Sequence, residues 1–199
     1  MYPLFPVAYP VPGMAMHQSQ SLPNPLRSNM REAWEQHVYW TRMLLISIAE
    51  RLKDLPDVTA RLMQNPKDLA TLFALYYGAD TAKTIEQLLT EHLQIGADLI
   101  TALRDRKTDE AARLKNQWYI NADKMAHAFS AINPYYRYDE LRNMLHRHLE
   151  LTTQEVAMRL AGNYSADIQA FEQVEREALL MADYFTTGIM QQFPHKFYV

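Results

Sequence analysis

The stretch MREAWEQHVYWTRMLLISIAERLKDL, residues 30–55, decides the fold. Trp34, Val38, Thr41, Leu45, Ile48 and Leu52 recur at steps of three and four, the period of one helix face, and Pro56 supplies a stop. The same period continues down the chain. Short helices are expected over Asp57–Gln64 and Lys67–Tyr77, with Pro66 opening the second at its first turn. Long ones follow over Asp80–Arg106, Thr108–Ile132 and Asp139–Ala161, the last closed by Gly162-Asn163, and from a Ser165 cap to about Phe193. Alternating strand patterns and Asn-Gly or Asp-Gly hairpin turns are missing. The fold class is therefore all-α. Short connections imply antiparallel neighbours, so the expectation is an up-and-down, ferritin-like bundle of four to five long helices with one or two short ones.

Upstream of this block the composition changes. Six of the ten prolines fall in the first 25 residues, and no charged residue precedes Arg27. Residues 1–28 read as a disordered Pro/aromatic-rich tail, in which Tyr2-Pro3, Phe5-Pro6 and Tyr9-Pro10 favour extended chain. Residues 29–199 read as one bundle domain, since 199 residues, 48% of them hydrophobic, suffice for a single core.

Inside the apolar stripes sits a set of polar residues, one on nearly every long helix: His37, His92, Asn121, His148 and Glu175, with Glu155 two turns beyond His148. Each lies within about 8 Å of the middle of its expected helix, so an antiparallel bundle would bring them to one level. An unpartnered polar group there costs about 1–3 kcal/mol. His37, His92, His148, Glu155 and Glu175 are accordingly candidate ligands for Fe, Mn or Zn, with Asn121 as a supporting partner. The competing reading is that these groups hydrogen-bond one another and fix the register of the helices. Arg42 and Arg159, near the inner faces, are expected in ion pairs with Glu175 or Asp183.

Other chemistry is excluded by what the chain lacks. Its net charge of -3 and interspersed 20 basic and 23 acidic residues offer no stripe for nucleic acid. Without cysteine there is no disulfide or thiolate site. Neither a signal peptide nor a membrane span is legible, so a cytoplasmic location is expected. Five glycines form no phosphate loop, and no nucleophile elbow occurs, so no catalytic residue is assigned.

The segments Trp34 to Arg42, Glu91-His92-Leu93, Trp118 to Asp123, His148 to Glu155, Arg159 to Tyr164 and Gln192 to Phe197 together resemble a small bacterial family of uncharacterised helical proteins. Members of that family carry labels such as acetylglutamate kinase or glycosyltransferase. Both activities belong to α/β folds, which the helical period here does not allow, so the chain is not read as either enzyme. Glu35 to Trp40 is more loosely similar to ferritin-like metal-binding bundles. That likeness implies a divalent metal within the bundle, although no Glu-x-x-His pair is present. The tail is similar in composition to leaders of spore-coat proteins, which implies instead a metal-free structural or interaction protein. In that reading it is spore-associated, with the tail contacting a protein partner or a second copy of the chain.

Overall fold

A computed structural model describes residues 24–197, and they are helical almost throughout, with no strand among them. Seven α-helices follow one another: α1 Pro25–Ala49, α2 Leu55–Leu62, α3 Asn65–Tyr77, α4 Ala79–Arg104, α5 Thr108–Ile132, α6 Tyr138–Leu160 and α7 Tyr164–Gln192. A 3-10 turn, Pro194–Lys196, ends the described chain. None of these helices is long and apolar enough to cross a membrane.

Helix ends explain where the structure departs from the sequence reading. α1 begins at Pro25, because Asn24 caps it by accepting hydrogen bonds from the Leu26 and Arg27 amides and Pro25 suits the first helical position. Residues 25–28 thus belong to the bundle, and the tail reading for residues 1–23 lies outside the described residues. α1 stops at Ala49 rather than Leu55. Arg51 turns left-handed (φ 55°), and the Leu52 and Arg51 amides bond back to Ser47 and Ile48, a Schellman closure. The same closure ends α4 at Arg106 (φ 58°) and α6 at Gly162 (φ 73°). α7 is capped by Asn163, whose side chain accepts from the Ala166 amide, and not by Ser165.

The five long helices close into a ring in the order α1, α4, α5, α6, α7 and back to α1, while α3 packs on α1 and α4 and α2 packs on α1. A ring of five cannot alternate direction all the way round, so a wholly up-and-down arrangement is geometrically closed to it. The parallel pair is α1 and α4, whose C-terminal ends meet. Arg104 donates to the Ile48 carbonyl, and Arg51 pairs with Asp105. α2 and α3 form the return path. The C-terminus of α6 reaches the same end, where Arg159 pairs with Glu50.

Two apolar clusters fill the ring. The larger contains Trp34, Val38, Phe73, Leu89, Trp118, Leu145 and Phe185; the smaller, toward the C-terminal ends of α1, α4 and α6, contains Leu44, Leu45, Ile48, Leu62, Leu93, Ile100 and Val156. His37, His92, Asn121 and His148 form a buried polar layer beside them.

Candidate metal centre

His37, His92 and His148 stand within one residue of the midpoints of α1, α4 and α6, which is how the fold brings them together. All three are buried, at 2%, 3% and 3% exposure. One nitrogen from each lies within 4.8 Å of the other two. Ring centroids are 6.2 Å apart for His37 and His92, 5.7 Å for His37 and His148, and 6.2 Å for His92 and His148. Three imidazoles around a tetrahedral ion at 2.0–2.1 Å would have centroids about 5 Å apart, so the rings need close in by only about 1 Å.

Two of the rings are oriented by amides. Asn65 donates its Nδ2 to the Ala33 carbonyl at 2.8 Å, which fixes its Oδ1 as the acceptor for His37 Nδ1–H at 2.9 Å. Asn121 donates to the Leu88 carbonyl (3.2 Å) and to Glu91 (3.0 Å), and its Oδ1 accepts from His92 Nδ1–H at 3.1 Å. Each imidazole is thereby held as the tautomer whose Nε2 carries the lone pair, the form a metal takes. His148 has no such anchor. Its Nδ1 is buried without a hydrogen-bond partner among the described residues, in a chain where such atoms are few.

The surroundings keep the rings neutral. Burial lowers the pKa of His37; burial, together with the His37 charge, lowers that of His92 to about 3; and burial with both neighbouring histidines lowers that of His148 well below the ordinary value. Trp118 lies 5.2 Å from the His92 ring and donates its indole N–H to the His92 carbonyl at 3.0 Å. It can approach because α4 has Gly96 there, where an added Cβ would sit 3.2 Å from the indole.

The two carboxylates expected in the layer are elsewhere, which corrects the five-ligand set. Glu155 lies seven residues along α6 from His148, about 10 Å of helical rise. It accepts from Arg42 Nη1 at 2.6 Å, and the same guanidinium clasps Asp167 at 2.9 and 3.1 Å. Glu175 is half-buried at the rim and accepts from the Tyr39 hydroxyl at 2.5 Å, which pushes that phenol up to about 12. The expected arginine ion pairs form, with different partners: Arg42 takes Glu155 and Asp167, and Arg159 takes Glu50 and Asp167. Asn121 is in the layer as expected. Asn65 was not anticipated, because Asn65-Pro66 reads as a helix stop. A fully buried asparagine next to a proline gives no periodic signal.

Beside the triad is a small cavity of about 20 Å³, room for one water-sized molecule or slightly more. No family model, curated protein or solved structure matches the chain.

Proposed function

We propose that the protein is a metal-binding helical bundle in which His37, His92 and His148 hold one divalent transition-metal ion. The observation that carries this reading is the convergence of three buried imidazoles, two hydrogen-bonded by asparagines and the third without a partner for its Nδ1. Three neutral nitrogen donors and no carboxylate suit Zn²⁺ best among Fe, Mn and Zn, since Mn²⁺ prefers oxygen ligands. The likeness to ferritin-like bundles is then one of placement, with ligands projecting inward from mid-helix positions. It does not extend to a carboxylate-bridged pair of irons, because Glu155 and Glu175 are held by Arg42 and Tyr39.

A second reading takes the layer as a metal-free device that sets helix register, and the two His–Asn hydrogen bonds favour it. Calorimetric titration of Zn²⁺ into the chelator-stripped full chain separates the two. The metal reading expects one ion per chain, with binding at least a hundredfold weaker in His92→Ala and His148→Gln variants that keep the wild-type circular dichroism. Absence of Zn²⁺ binding to the folded wild type would leave the register device standing.

A further inference from the structure

One turn past each histidine stands a small residue: Thr41 after His37 on α1, Gly96 after His92 on α4, and Thr152 after His148 on α6. These helices run the same way, so the three small residues lie on one side of the triad, where with Ala97 they line the cavity of about 20 Å³. Leu44, Leu62, Leu93, Ile100 and Trp118 form its remaining wall, which is apolar. The cavity is the space left because the position after each candidate ligand is not filled by a leucine.

Charge decides what such a space would hold. A divalent ion on three neutral imidazoles keeps its full double charge in a dry core, where burying unpaired charge is costly. The two buried carboxylates among the described residues, Glu155 and Asp167, are already paired with Arg42 and Arg159. Glu91 acts only through Asn121 and is itself nearly half exposed. Tetrahedral coordination by three histidines leaves a fourth position, and a ligand that brings a negative charge there is the one the core favours.

The two threonine hydroxyls are spoken for. Thr41 donates to the His37 carbonyl at 2.8 Å and Thr152 to the His148 carbonyl at 2.9 Å, so both hydroxyl protons are already used within the helices and neither is free to donate to a guest. A hydroxide suits both the charge and the size of the space.

Resting on the metal reading above, we infer that the fourth position is a binding site for a small monoanion of one to three atoms, hydroxide in plain water, seated in the Thr41–Gly96–Thr152 cavity. Larger anions are excluded by the leucine and isoleucine wall.

The test uses the full chain loaded with Co²⁺, whose visible bands report coordination number and ligands. Azide should shift the spectrum saturably, and benzoate at the same concentrations should not. Ala97→Leu, and the milder Ala97→Val, should still take up one Co²⁺ per chain and respond to azide at least tenfold more weakly. A Co²⁺-loaded wild type that ignores azide, or that responds equally to benzoate, overturns the inference, as does an unaltered azide response in both Ala97 variants. Failure of the folded wild type to take up Co²⁺ overturns the metal reading itself.

Discussion

At the scale of single residues, the asparagines matter as much as the histidines. Asn65 and Asn121 each tie one imidazole to a backbone carbonyl of another turn, so the ring is held in both tautomer and angle. Replacing Asn121 with Leu should weaken Zn²⁺ binding by about 10- to 100-fold, the usual effect of removing a group that orients a ligand, as measured by competition with a chelating dye. A variant that binds as tightly as wild type would mean that His92 is oriented by Trp118 alone. The histidines also set a pH dependence in chelator-stripped protein. Their pKa values are lowered in the folded state, whereas in the unfolded chain they titrate near 6.5. Below that pH the unfolded histidines bind more protons, so their contribution to stability is full above about 6.5 and falls as pH drops, by up to about 1.4 kcal/mol per pH unit for each histidine, offset in part by Glu155, whose carboxyl burial raises to about 7. Urea melts between pH 7.5 and 5 should show this slope, reduced in His148→Gln; a flat profile would show that the rings protonate in place. The sequence pointed to these three histidines because each interrupts an apolar stripe. It misplaced Glu155 and Glu175 because periodicity tells which face a residue occupies, and not which neighbouring arginine or tyrosine claims it first.

At the scale of helices, two ends and one crossing carry predictions. Arg51 and Arg106 occupy left-handed positions that cost an L-residue about 1–2 kcal/mol, which glycine avoids at some expense in unfolded-state entropy. Arg106→Gly should therefore stabilise the bundle by roughly 0.5–1 kcal/mol, seen as a higher urea midpoint with an unchanged slope. Destabilisation would mean that the Arg106 side chain contributes at the end of α4. On α7, Gly188 lies against the Tyr136 ring, where a Cβ would come within 2.1 Å of a ring carbon. Tyr136 is buried and donates to the Phe185 carbonyl at 2.7 Å, so it has little room to move. Gly188→Ala should cost about 1–3 kcal/mol by overpacking, read in the same melts, and a neutral result would show that the loop before α6 yields. Helix existence was legible throughout, since the stripes at Ile85, Leu89 and Leu99 or Leu141 and Leu145 are strongly periodic. The end of α1 was not, because an arginine in a left-handed turn looks like any other helical residue while Pro56 looks like a stop.

At the scale of the whole molecule, five long helices in a ring force one parallel pair, and the chain spends α2 and α3 on making it. That parallel pair puts the residues following His37 and His92 on the same side of the layer, beside those following His148. The polar layer and its cavity thus depend on topology as much as on residue identity. A sequence read helix by helix reveals the level of each histidine along its own axis, which sufficed to bring three of them together on paper. It does not reveal directions around the ring, so the cavity on one side of the layer was not legible. The layer also gives the metal reading a consequence for the fold, since an ion joining α1, α4 and α6 would staple these three helices together. The most direct test is plasma mass spectrometry of the untagged full chain, purified without chelators and compared with folded His148→Gln. The expected result is about one zinc per wild-type chain and little in the variant. Wild-type protein that stays metal-free even after incubation with Zn²⁺, or a variant that retains equal metal, would contradict it.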